Sequence, residues 1–94
     1  MNMTTILIIE DALDLAALIR RELEAEGYTV RHAADGQAGL DAFQSSQPDL
    51  VLLDWMLPKL DGLAVLRRIR ATPGALANVP VLMLTARGEE MDRV

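Results

Sequence analysis

An alternation of two patterns limits most strongly how this chain can fold. Short apolar runs are each separated from the next by a longer stretch with helical periodicity. Residues 4–9 (Thr-Thr-Ile-Leu-Ile-Ile), 50–53 (Leu-Val-Leu-Leu) and 81–84 (Val-Leu-Met-Leu) are apolar at nearly every position, as strands covered on both faces must be. Residues 28–33 alternate loosely, with Tyr28 and Val30 on one face, as a shorter and more exposed strand does. In between, residues 12–26 place Leu15, Leu18, Ile19 and Leu23 at helical spacing, with Arg20, Arg21, Glu22 and Glu24 mainly opposite. Gly27 supplies a stop. Asp35-Gly36 opens a second helix, with Asp35 as N-cap and Leu40 and Phe43 as apolar anchors, and Ser45-Ser46-Gln47-Pro48 ends it. A third helix after Gly62 is expected to turn Leu63, Leu66 and Ile69 inward and Arg67, Arg68 and Arg70 outward, until Thr72-Pro73-Gly74 breaks it. Residues 88–94 read as the start of a polar helix. The order βαβαβαβ with short connections predicts an α/β fold, a parallel sheet with helices on both faces.

The strand ends carry the chemistry. The first apolar run stops at Glu10-Asp11, the third at Asp54 and the fourth at Thr85. An isolated strand-end Asp most simply caps a loop. Parallel strands joined by right-handed crossovers, however, bring these ends to one rim, where open α/β sheets hold their ligands. Three carboxylates gathered there repel and raise one another's pKa unless a cation joins them. The chain has no cysteine, and hard oxygen donors in a shallow, partly hydrated cluster suit Mg²⁺ best. With the metal bound, Asp54 can stay ionised and attack a phosphorus atom, while Thr85 offers its hydroxyl to a phosphoryl oxygen.

Composition narrows the function classes. A length of 94 residues allows one small domain, and 51% hydrophobic content is ample for its core. The absence of cysteine excludes disulfides, thiolate zinc sites and thiol nucleophiles. A formal net charge of −5 argues against this segment gripping nucleic acid by itself. No apolar stretch approaches membrane-spanning length and no signal core opens the chain, so a soluble cytoplasmic protein is expected.

Taken together, Glu10-Asp11, Asp54 with Pro58 and Gly62, and Thr85-Ala86 resemble the receiver domain of two-component response regulators, over essentially the whole chain. Residues 53–58 and 81–90 further resemble the winged-helix transcriptional class of the phosphate-regulon type. The resemblance implies a flavodoxin-like (CheY-like) fold with strand order 2-1-3-4-5. It implies that Asp54 is the phosphoacceptor for a sensor histidine kinase and Thr85 the switch residue. Asp11, Asp54 and the backbone carbonyl of Met56 would hold Mg²⁺, with Glu10 acting through water. Met56 and Arg87, two past Asp54 and Thr85, are poor bases for activating water, which implies slow self-dephosphorylation. Phosphorylation would pair two copies of the domain and act on DNA only through an effector domain outside this chain, with no membrane partner. Such a domain accepts a phosphoryl group and is no enzyme beyond its own phosphorylation and dephosphorylation.

A receiver domain also carries a fifth strand ending in Lys-Pro, an aromatic switch residue and a fifth helix, none of which these 94 residues contain. Residues 1–94 are therefore expected to form an incomplete receiver domain. Lys59, the only lysine, lies in the loop after Asp54 and cannot replace the missing one. His32, the only histidine, is expected at the exposed end of the second strand, without a role in proton transfer or relay. Trp55 is expected to pack near the mouth of the site. Arg93 falls where the winged-helix class places an arginine in its dimer face. Two other classes compete. A Mg²⁺-dependent aspartyl-phosphate phosphatase would want a second Asp where Met56 stands. A flavin- or nucleotide-binding module would want a phosphate loop where Glu10-Asp11-Ala12-Leu13-Asp14 stands.

Overall fold

The computed structural model describes residues 4–57 and 59–84. Four parallel strands, β1 (Thr5–Ile9), β2 (Thr29–Ala33), β3 (Leu50–Asp54) and β4 (Val81–Leu84), lie in the order β2-β1-β3-β4. Helix α1 (Leu13–Ala25) joins β1 to β2, α2 (Gly36–Ser46) joins β2 to β3, and α3 (Gly62–Arg70) leads toward β4. The flavodoxin-like expectation holds. Its first crossover lays β2 on one side of β1, and the next passes back over β1 to lay β3 on the other. With right-handed crossovers, that reversal puts α1 on one face of the sheet and α2 and α3 on the opposite face. The crevice between the carboxyl ends of β1 and β3 is then the topological switch point.

Strand alternation divides the core accordingly. Leu7 and Ile9 of β1, Val51 and Leu53 of β3 and Met83 of β4 face α2 and α3, meeting Leu40, Phe43, Val65 and Ile69. Ile6, Ile8, Val30 and Leu52 face α1, meeting Ala16 with Ile19 and Leu23 beside it. Each fully buried Leu, Ile, Val or Phe stabilises the fold by roughly 1.5–3 kcal/mol. Among the described residues, every buried side-chain nitrogen and oxygen has a hydrogen-bond partner. None of the helices there is long and apolar enough to cross a membrane.

Two helical faces differ from expectation. On α1 the line Ala16–Ile19–Leu23 meets the sheet, leaving Leu15 and Leu18 half exposed. Ala16 is small enough to let the helix approach, so the buried stripe turns away from the two leucines. On α3 the inward line is Gly62–Val65–Ile69, with Leu66 half-buried and Leu63 at the surface. The N-caps set the starts of α2 and α3. Asp35 accepts from the Ala38 N–H (2.8 Å) and Asp61 from the Ala64 N–H (2.9 Å). Helix α2 closes on Gln47, a left-handed residue with φ 46°. A 3₁₀ turn at Ala75–Asn78 connects α3 to β4. Arg70 fastens it, its guanidinium donating to the carbonyls of Ala77 (2.8 Å) and Val79 (2.6 Å). Residues 88–94, expected to begin a helix, lie outside the described residues.

Candidate functional site

Glu10 and Asp11 leave the end of β1, and Asp54 is the last residue of β3, paired across the sheet with Leu84. Because β1 and β3 are neighbours, the three carboxylates meet at the switch point. Each offers an oxygen, and these oxygens lie within 4.8 Å of one another. Glu10, Asp11 and Asp54 line a cavity of about 300 Å³ with Ala12, Leu15, Met56 and Leu84.

The acids sit in unequal surroundings. Glu10 is only 4% exposed, Asp54 is half-buried and Asp11 is exposed. Burial pushes the Glu10 carboxyl up to about 7, and the Asp54 charge adds to the rise. The Ala12 N–H, donating to Glu10 Oε2 at 3.0 Å, offsets part of it. Burial likewise raises Asp54, opposed by the Met56 N–H and by the neighbouring Glu10 carboxyl, with the Asp11 charge adding to the rise. Proximity of the two carboxyls adds to the rise at Glu10 and offsets part of the rise at Asp54.

The loop carrying Asp54 is clamped by backbone. Trp55 N–H donates to the Leu84 carbonyl (2.8 Å), and Gly62 N–H donates to the Trp55 carbonyl (3.1 Å). Gly62 is needed there because a Cβ would press on the Asp54 carbonyl oxygen and lie 2.9 Å from the Trp55 oxygen. Gly36, at the start of α2, similarly abuts the Leu60 carbonyl. Lys59 adopts φ 70° and pairs with Asp35 (3.6 Å), so its ammonium is engaged with the N-terminus of α2.

Of the residues singled out from sequence, Glu10, Asp11 and Asp54 are brought together, and Met56 lies beside them in the cavity wall. Trp55 is half-buried against the core on the side of α2 and α3, consistent with packing. Thr85, Arg87, Arg93 and Pro58 lie outside the described residues. His32 departs from expectation. It is half-buried, and its Nε2 lies 2.8 Å from the backbone carbonyl of Glu10. The cross-strand register pairs His32 with Ile8, two residues before Glu10. Only strand pairing could have revealed that contact.

Comparison with known proteins agrees with this geometry. Residues 6–94 match the family model described as response regulator receiver domain. The phosphate regulon transcriptional regulatory protein PhoB of Rhizobium meliloti is 44% identical over 95% of this chain, which spans 39% of that protein. The alkaline phosphatase synthesis transcriptional regulatory protein PhoP of Bacillus subtilis is 42% identical over 95% of this chain and 36% of its own length. The chain thus spans about two-fifths of the length of these curated relatives. A receiver protein from Methanoculleus marisnigri superimposes with a TM-score of 0.86 at 38% identity, covering 98% of this chain and 76% of that one. The receiver domain of a Pseudomonas aeruginosa sensor histidine kinase gives a TM-score of 0.88 at 34% identity, covering 98% of this chain and 75% of that one. It was solved with a magnesium ion coordinated in its active-site cleft. Strand order, the acid cluster at the switch point and a match from residue 6 onward agree: the chain belongs to the response regulator receiver domains.

Proposed function

We propose that this chain is the phosphoacceptor switch of a transcriptional response regulator and that Asp54 accepts a phosphoryl group from a sensor histidine kinase. The observation carrying this reading is the convergence of Glu10, Asp11 and Asp54 within 4.8 Å at the switch point. The donor set fits Mg²⁺, since it offers hard oxygens alone and gathers acids that resist ionising together. Asp11, Asp54 and the Met56 carbonyl would hold the ion, with Glu10 acting through water. Bound there, the ion supplies positive charge that lets the acids ionise and offsets the charge of the transferring group.

This chain's own residues do the rest. An Asp54 carboxylate oxygen attacks phosphorus. The bond from phosphorus to the donor imidazole nitrogen breaks, and its electron pair returns to that nitrogen. The product is an acyl phosphate at Asp54, a phosphoacceptor's product rather than a dedicated enzyme's turnover. The Thr85 hydroxyl donates to a phosphoryl oxygen and moves with it as the switch. Met56 and Arg87 provide no strong base for the water that would hydrolyse the acyl phosphate, so the phosphorylated state is long-lived. Phosphorylation selects a conformation in which two copies pair, and an effector domain outside this chain carries the signal to DNA in the cytoplasm. The identity with PhoB and PhoP supports this output.

The test is incubation with Mg²⁺ and acetyl phosphate followed by intact mass. The expected result is one phosphate adduct that requires Mg²⁺ and disappears in Asp54→Asn. An adduct that persists in Asp54→Asn overturns the assignment.

A further inference from the structure

We propose that His32 is a positioning residue for the metal-binding acids, acting through the peptide that links Glu10 to Asp11. The inference rests on the reading of Glu10, Asp11 and Asp54 as a cation site, and it assigns a role to a strand that supplies no ligand.

The β1–β2 ladder pairs Ile8 with His32 and Ile9 with Ala33. One further bond, from the Glu10 N–H to the Ala33 carbonyl (3.0 Å), carries it just past the end of β1. Strand β2 then ends at Ala33. The next group on the β1 side is the Glu10 carbonyl, and the His32 ring meets it at 2.8 Å. A carbonyl oxygen only accepts, so the ring donates its Nε2–H. Glu10 is thereby held at both its N–H and its C=O by β2, while its carboxylate accepts the Ala12 N–H at 3.0 Å. The bend at which the chain leaves the sheet is anchored on three sides.

Asp11 is what this bend places. The plane of the Glu10–Asp11 peptide fixes where the Asp11 Cα sits and, together with the Asp11 φ, the direction in which its side chain leaves the backbone, and Asp11 itself is exposed. Freed of the His32 bond, that peptide can rotate. Ligands of a cation must be held to about 0.5 Å by the groups behind them, and losing an outer partner of this kind weakens metal binding by about tenfold or more. The other groups bonded to Glu10 at the bend, from Ala33 and Ala12, contribute backbone only. His32 is therefore the side chain through which β2 sets the acid geometry.

The test measures Mg²⁺ affinity by calorimetry on wild type, His32→Leu and His32→Gln, well below each protein's unfolding midpoint. Leucine fills the space without a donor, whereas glutamine presents an amide N–H at the same bond separation from Cβ as Nε2. We expect about a tenfold weaker affinity for His32→Leu and recovery toward wild type in His32→Gln. Should His32→Leu not fold, His32→Asn, whose amide falls short of the carbonyl, takes its place. Equal affinity in wild type and the donor-less variant overturns the proposal, as does a loss that glutamine does not recover. Wild type that binds Mg²⁺ yet forms no adduct at Asp54 overturns the phosphoacceptor reading while the affinities still decide the role of His32. Wild type that binds no Mg²⁺ overturns both.

Discussion

Replacing Glu10 by glutamine should change how the stability of the metal-free protein depends on pH. Glu10 is 4% exposed, and its carboxyl is raised from 4.5 to about 7, first by burial and then by Asp54. Since the folded-state pKa lies above the unfolded one, the unfolded chain gives up this proton first as pH rises. Stability from the neutral carboxyl is fully present below pH 4.5 and is lost as pH climbs through 7. At about 1.36 kcal/mol per pH unit, that interval is worth roughly 3 kcal/mol. Glutamine keeps an oxygen for the Ala12 N–H and has nothing to titrate. Asp54 is raised as well, chiefly by its own burial, which glutamine at position 10 leaves in place. Urea unfolding in EDTA at pH 5 and pH 8 should therefore show Glu10→Gln gaining about 2–3 kcal/mol on wild type at the higher pH. Saturating Mg²⁺ should reverse the gain, because the ion binds the ionised wild-type cluster and stabilises only the folded state. Stability curves that run parallel from pH 5 to 8 would refute the argument, since they would mean that Glu10 ionises alike in the folded and unfolded chains.

Three further outcomes follow from packing and backbone. Gly62→Ala should cost about 1–2 kcal/mol net, because its Cβ presses on backbone atoms of Asp54 and Trp55 while the helix gains only a little from alanine. It should also slow adduct formation at Asp54, and an unchanged rate with unchanged stability would contradict the close approach. Phe43→Ala, on the buried face of α2 at a site 1% exposed, should lower unfolding stability by about 3–5 kcal/mol, read from the urea midpoint. Gln47→Gly should raise stability by roughly 0.5–1 kcal/mol, since Gln47 is exposed and holds φ 46°, a conformation that glycine adopts without a Cβ penalty.

What the sequence determined by itself was the frame and the identity of the acids. Strands apolar on both faces had to be buried between helices, and each of the three helices was bounded by stop or cap signals such as Gly27 and Asp35. Those are local properties: a run of Ile-Leu-Ile-Ile cannot face water whatever surrounds it, and an Asp can cap its own helix. Right-handed connection then forced Glu10, Asp11 and Asp54 to one rim, so their meeting could be foreseen without coordinates.

Tertiary structure decided whatever depends on two segments at once. Periodicity gave α1 and α3 apolar stripes, but docking chose Ala16–Ile19–Leu23 and Gly62–Val65–Ile69 as the inward lines and left Leu15, Leu18 and Leu63 outside. The raised carboxyls of Glu10 and Asp54 arise from burial and from neighbouring acids that two different strands bring together. The hold of His32 on Glu10 depends on the register that sets Ile8 against His32, residues 24 apart in the chain. Nothing local to His32 marks it, because a histidine on an edge strand looks like any other polar residue until its neighbour is known. Local chemistry therefore named the site, and strand pairing fixed how its acids are held and charged.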